Sequence, residues 1–166
     1  SWCSAPYFRA YVSRDVTGVE VAGAMKNVIA IAVGAAAGLG YGDNTRASLI
    51  TRGLAEITRL GVALGAETST FAGLAGMGDL VATCASPLSR NFRLGKALGE
   101  GQSLEEARAS VGQTAEGVPT ARAVAELAER SQLDLPITRA LVDVVDRGRN
   151  MAEVTSALLS RSVRFE

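Results

Sequence analysis

A single lysine stands where a charge is expensive. Lys26 is the only charged residue between Glu20 and Asp43, and its neighbours are Val21, Ala22, Ala24, Met25, Val28, Ile29, Ile31 and Val33. An ammonium on so apolar a segment is costly to bury unless something pairs with it or uses it. Two readings are open on the residues alone: the stem packs while the head snorkels to water, or the amine works as an acid/base. The chain contains no histidine, so proton transfer near neutral pH falls to Lys, Cys, Tyr or a carboxylate. Asn27, next to it, adds an amide able to donate to a substrate oxygen.

A second cluster runs Gly78-Asp79-Leu80-Val81-Ala82-Thr83-Cys84 and is followed by Ser89-Arg90-Asn91. An aspartate after glycines caps a helix in the simplest reading. At Ser89 a hydroxyl, a guanidinium, an amide and helix-start N–H groups converge, which suits an anion, although a cap followed by a solvated arginine fits the same letters. The glycine runs Gly38-Leu39-Gly40-Tyr41-Gly42 and Gly76-Met77-Gly78 do not follow a strand in a βαβ unit, so neither reads as a dinucleotide fingerprint.

Composition sets what must position these groups. The 166 residues suit one domain, and 48% apolar with 5% aromatic residues describes an interior of Ala, Leu, Val and Ile, hence an all-α fold. Lys plus Arg and Asp plus Glu balance at 17 each, which argues against a nucleic-acid partner. Cys3 and Cys84, without histidine, form neither a metal-ligand set nor a disulfide framework, and a reducing, cytoplasmic setting is expected. The longest uncharged apolar run, Val28 to Gly42, has 15 residues, fewer than the roughly 18 of a membrane span. It reads as a buried helix, and no signal-peptide pattern is evident.

Tyr7 to Val12 is the one strand-like segment, either an edge without its sheet or a disordered tail. A first long helix is expected from about Gly18 to Ala37. A second, capped by Asp43 or Asn44, carries Leu49, Ile50, Leu54, Ile57, Leu60 and Leu64 as its apolar stripe, flanked by Arg46, Arg52 and Arg59. Then come a helix near Thr68 to Leu74, a glycine turn at Gly76 to Gly78, a helix from Asp79, and one opening at Ser89. Ser103 with Glu106 makes a capping box, Pro119 and Pro136 sit in first turns, and Met151 to Leu159 ends the series.

Taken in order, Gly23-Ala24-Met25-Lys26-Asn27-Val28-Ile29-Ala30, Gly38 to Arg46, Leu54-Ala55-Glu56, Gly73 to Leu80, Ser89-Arg90-Asn91 and Gln113-Thr114-Ala115-Glu116-Gly117 resemble the bacterial NAD(P)-dependent glycerol-3-phosphate dehydrogenases over essentially the whole chain. The resemblance implies the C-terminal domain of that enzyme, a multi-helix substrate domain of the 6-phosphogluconate-dehydrogenase C-terminal-like type. Residues 1–16 then resemble the last strand of a missing Rossmann domain and a linker, and 17–166 the helical domain. The implied activity is reversible hydride transfer between glycerol 3-phosphate and NAD or NADP, giving dihydroxyacetone phosphate for phospholipid precursors. Lys26 matches the catalytic lysine, Asn27 and Asp79 match residues positioning it and the substrate, Thr83 falls in the substrate site, and Ser89, Arg90 and Asn91 match those holding the phosphate. Arg90, Thr114 and Glu116 match cofactor contacts, Thr114 standing where an apolar residue is expected. The nucleotide is implied to bind mainly the missing domain, the isolated chain to be inactive, and the enzyme to be a homodimer. Alternatives are the substrate domain of a related 3-hydroxy acid dehydrogenase and a non-catalytic helical interaction module. Lys26 is expected within reach of Asp79.

Overall fold

The computed structural model describes residues 5, 7, 9–112 and 115–160. Among them are α1 (Val16–Gly38), α2 (Asp43–Ala63), α3 (Thr68–Ala72), α4 (Asp79–Ala85), α5 (Arg90–Gly99), α6 (Leu104–Val111), α7 (Gly117–Arg130), α8 (Pro136–Arg147) and α9 (Met151–Leu159). The fold is all-α, as composition implies. Of the segment Tyr7 to Val12, Phe8 lies outside the described residues, and Tyr7 and Arg9 to Val12 form no strand, with Tyr7 and Val12 almost fully exposed.

The α1 helix is the axis of the molecule, with α2, α4, α5, α7 and α8 packed around it. It begins two residues earlier than periodicity suggests because Asp15 caps it. One Asp15 carboxylate oxygen accepts the Gly18 N–H at 2.9 Å, and the other accepts Thr70 Oγ1 at 2.6 Å and the Glu67 N–H at 2.9 Å. Those bonds, that of Thr70 foremost, hold the Asp15 carboxyl below its ordinary range. With 23 residues, α1 is long and apolar enough to cross a membrane by length and composition alone. Burial of Met25, Val28, Ile29, Ala30, Ile31 and Val33 against its neighbours accounts for that composition.

Glycines set how close α5 comes to α1. A Cβ on Gly34 or Gly38 would collide with the backbone carbonyls of Phe92 and Lys96, and one on Gly95 or Gly99 with those of Ile31 and Ala35. The two helices thus meet backbone to backbone over two turns.

Two expectations about helix ends are corrected. The cap of α2 is Gly42, with extended backbone, and neither Asp43 nor Asn44; Asp43 is the first helical residue and spends its carboxylate on Arg46. Gly76-Met77-Gly78 is not an open turn, and the preceding helix stops at Ala72. Leu74–Gly78 forms a π-helical turn leading directly into α4, because the bare Gly76 packs on the backbone of Phe71. Ser89, Ser103 with Glu106, and Asn150 cap their helices through side-chain oxygens, and Pro136 opens α8.

The α2 helix grips the turn between α7 and α8. Arg59 donates to the Asp134 carbonyl at 2.5 Å, and the buried Glu56 accepts the Ile137 N–H at 2.5 Å, the Thr138 N–H at 3.2 Å and Thr138 Oγ1 at 3.1 Å. Desolvation outweighs those hydrogen bonds and pushes the Glu56 carboxyl from 4.5 up to about 7. A carboxyl with a raised folded-state pKa binds its proton more tightly when folded, so it stabilises the chain fully below about pH 4.5 and loses that contribution by about pH 7. The shift corresponds to a difference on the order of 3 kcal/mol. Chemical unfolding of the Glu56→Gln variant beside the parent checks this: the parent loses stability relative to the variant between those pH values, and parallel profiles contradict it.

Candidate functional site

Lys26 occupies the middle of α1 between the buried Met25 and Val28. Its ammonium donates to Asp79 Oδ2 at 2.5 Å, and the two side chains are 25% and 41% exposed, so the pair lines an open surface at the edge of the core. Asp79 does not cap α4. It is that helix's first residue, and the π-helical turn ahead of it aims its carboxylate back at α1. Thr83, one turn on, donates to the Asp79 carbonyl at 2.7 Å and lies 3.4 Å from Asp79 Oδ1, which holds the acid in place.

A second chain of bonds brings the start of α5 to the same part of α1. Asn91 Nδ2 donates to Asn27 Oδ1 at 2.9 Å, while Asn27 Nδ2 reaches the Gly23 carbonyl at 3.4 Å. Ser89 is the N-cap of α5, its Oγ accepting the Phe92 N–H at 3.3 Å, and Arg90 is exposed in the first turn. The first-turn N–H groups, the helix dipole and the Arg90 guanidinium together favour an anion there. Lys26, Asn27, Asp79, Thr83, Ser89, Arg90 and Asn91 therefore belong to one neighbourhood on three helices.

Glu116 is exposed at the N-cap of α7, whose next residue, Gly117, donates its N–H to Asn91 Oδ1 at 3.0 Å. Thr114 lies outside the described residues. Cys84, buried with its thiol pushed up to about 12 by desolvation, is not a nucleophile at neutral pH. Among the described residues no group of three His, Cys, Asp or Glu side chains could hold a metal ion. Arg90 and Glu116 could border a dinucleotide, but the described residues offer no strand–loop–helix unit to cradle its pyrophosphate.

The site residues singled out by sequence all fall between positions 26 and 116, and a family model spans them. Residues 15–156 match the C-terminus of NAD-dependent glycerol-3-phosphate dehydrogenases. The chain belongs to that family. A glycerol-3-phosphate dehydrogenase [NAD(P)+] of Streptomyces coelicolor is 56% identical over 164 residues, covering 99% of this chain and 49% of the relative. The crystal structure of the Coxiella burnetii glycerol-3-phosphate dehydrogenase superposes with a TM-score of 0.93 at 41% identity, over 95% of this chain and 49% of that one. The structure of the Saccharomyces cerevisiae glycerol-3-phosphate dehydrogenase gives a TM-score of 0.84 at 32% identity, over 92% of this chain and 45% of that one. The chain thus spans about half the length of the relatives it matches. The family's cofactor is NAD(P).

Sequence reasoning missed the role of Gly117 and the engagement of Asn91. The bonds joining Asn27, Asn91 and Gly117 cross 64 and 26 positions, and no local pattern encodes them.

Proposed function

We propose that this chain is the substrate-binding and proton-transferring half of an NAD(P)-dependent glycerol-3-phosphate dehydrogenase, interconverting glycerol 3-phosphate and dihydroxyacetone phosphate. The observation carrying this reading is the ion pair of Lys26 with Asp79 standing beside the N-terminus of α5. In the reducing direction the C2 carbonyl lies against Lys26. A reduced nicotinamide, when bound, supplies the hydride that becomes the new C2–H bond. Lys26 Nζ gives its proton to the C2 oxygen as the carbonyl π bond breaks, and Asp79 balances the ammonium beforehand. In oxidation the neutral amine takes the hydroxyl proton back. Arg90 and the first turn of α5 take the phosphate, a match of fixed donors to a dianion that favours a phosphorylated substrate over a 3-hydroxy acid.

Geometry limits what the chain does alone. Hydride transfer needs donor and acceptor carbons about 3 to 3.5 Å apart, and the described residues hold no pyrophosphate cradle to fix a nicotinamide there. An open cleft of about 740 Å³ at the start of α1, lined in part by Tyr11, Val12, Val16, Val19 and Leu74, leaves apolar surface bare. It supports the reading that a nucleotide-binding domain covers this side. The test assays the chain with glycerol 3-phosphate and either nicotinamide cofactor, alone and then with the part of the Streptomyces coelicolor relative that it does not match, linked or added separately. Turnover is expected only in the assembly. Turnover by the chain alone refutes the division of labour, and an inactive assembly refutes the dehydrogenase reading.

A further inference from the structure

The segment from Glu67 to Asp79, which carries α3 and the π-helical turn, is tied to α1 at both ends by side-chain bonds. At one end Asp15, the cap of α1, accepts the Glu67 N–H at 2.9 Å and Thr70 Oγ1 at 2.6 Å through Oδ2, while Oδ1 accepts the Gly18 N–H. At the other end Lys26 Nζ, further along the same helix, donates to Asp79 Oδ2 at 2.5 Å. Backbone bonds join the two ties. The Thr70 carbonyl accepts the Gly73 N–H at 3.2 Å, and the Gly73 carbonyl accepts the Gly78 N–H at 3.2 Å, one residue before Asp79. The approach at the first tie is close, since a Cβ on Gly18 would strike Asp15 Oδ2 and stand 2.9 Å from Thr70 Cγ2.

We propose that Asp15 is a positioning residue for the Lys26–Asp79 pair. Capping α1 takes one oxygen, and a serine would supply that as well. The second oxygen, spent on Thr70 and Glu67, fixes where α3 begins relative to α1 and, through Gly73 and Gly78, where Asp79 stands against Lys26. The 2.6 Å bond from Thr70 has the length of a hydroxyl donating to an ionised carboxylate, a stronger tie than a neutral pair makes. Phe71, buried between Gly61 and Gly76, anchors the same segment to α2. Apolar burial is non-directional, however, and leaves the aim of a carboxylate to the hydrogen bonds at the two ends. The inference rests on the dehydrogenase reading for its kinetic consequence, and on geometry alone for its structural one.

The test separates the tie from the cap. Asp15→Ser keeps an oxygen for the Gly18 N–H but cannot reach Thr70, Thr70→Val removes the hydroxyl and keeps the methyl, and Thr70→Ser keeps the hydroxyl. In the assembled enzyme Asp15→Ser and Thr70→Val are each expected to lower kcat about 2- to 30-fold, with KM for glycerol 3-phosphate within about threefold of the parent. Since both break the same link, the double variant is expected to be no worse than the poorer single one, and Thr70→Ser to stay near the parent. An activity-independent reading comes from trace acylation of the chain with acetic anhydride. Lys26 and Lys96 are its two lysines, so labelling at Lys26 is read against Lys96, which is 52% exposed. Acylation needs the amine's free lone pair, which is committed to its proton while the ammonium donates to Asp79. Asp15→Ser and Thr70→Val are therefore expected to raise the Lys26 to Lys96 ratio about twofold or more. An unchanged ratio, or a raised ratio with kcat intact, overturns the proposal. So does a raised KM with kcat intact, or a lower melting temperature with kcat and labelling both unchanged, which would leave Asp15 a structural cap. A Thr70→Ser variant as slow as Thr70→Val overturns it too, because the hydroxyl would then not be what holds the segment. If the unsubstituted assembly shows no turnover, the dehydrogenase reading fails while Lys26 labelling still decides whether Asp15 positions the pair.

Discussion

Gly95→Leu is expected to leave the chain unable to fold, whereas Gly23→Ala is expected to stabilise it. Gly95 faces the Ile31 carbonyl so closely that even a Cβ would overlap it, and the opposing atom is backbone in the middle of the central helix, which cannot rotate aside. Accommodating a leucine means separating α1 from α5 and uncovering Ile31, Leu94 and Leu98, which are buried together. Overpacking a core that can still adjust costs about 1 to 3 kcal/mol. A core whose two central backbones are wedged apart loses much of the 5 to 15 kcal/mol or so that holds a domain together. Gly23 lies on the same α1 helix, yet a Cβ there would meet nothing within 4 Å. Alanine at that place gains helix propensity worth up to about 1 kcal/mol. Circular dichroism with thermal unfolding of the two variants checks the pair. A folded Gly95→Leu protein with a melting temperature near that of the parent would show that the close approach of α1 and α5 is not required.

What the sequence revealed of this fold is what short-range chemistry encodes. The caps at Ser89 and at Ser103 with Glu106 are local, each joining groups three positions apart, and Pro136 opens its helix at the first position; all stand where the letters place them. Lys26 stood out because its surroundings make a charge expensive, and its partner across 53 positions was named only through family resemblance. On the residues alone Asp79 read as a cap. The π-helical turn that turns it toward α1 depends on Gly76 meeting Phe71, a contact between residues whose spacing signals nothing by itself. Gly34, Gly38, Gly95 and Gly99 were visible as glycines but not as partners, because pairing them requires knowing that α1 and α5 lie side by side. The same holds for Glu56, a carboxylate inside an apolar stripe whose donors come from a turn more than 80 positions away.

The second large effect concerns Lys26, on which the account turns. Methionine matches the unbranched lysine stem in shape on a helix that is apolar around it, and Asp79, 41% exposed, can be hydrated once its partner is gone. Lys26→Met is therefore expected to fold normally and to bind inorganic phosphate at Arg90 much as the parent does, while lacking the proton donor for the C2 oxygen. General acid–base catalysis contributes about 10²- to 10⁴-fold, and the loss falls on kcat and kcat/KM alike because the proton moves only in the transition state. The decisive measurement is steady-state turnover of dihydroxyacetone phosphate by the assembled enzyme with and without Lys26→Met, with phosphate binding followed in both. A fall in kcat of about 10²-fold or more with phosphate binding retained is the result expected. Turnover within about threefold of the parent contradicts the assignment of Lys26 as the group that moves the proton.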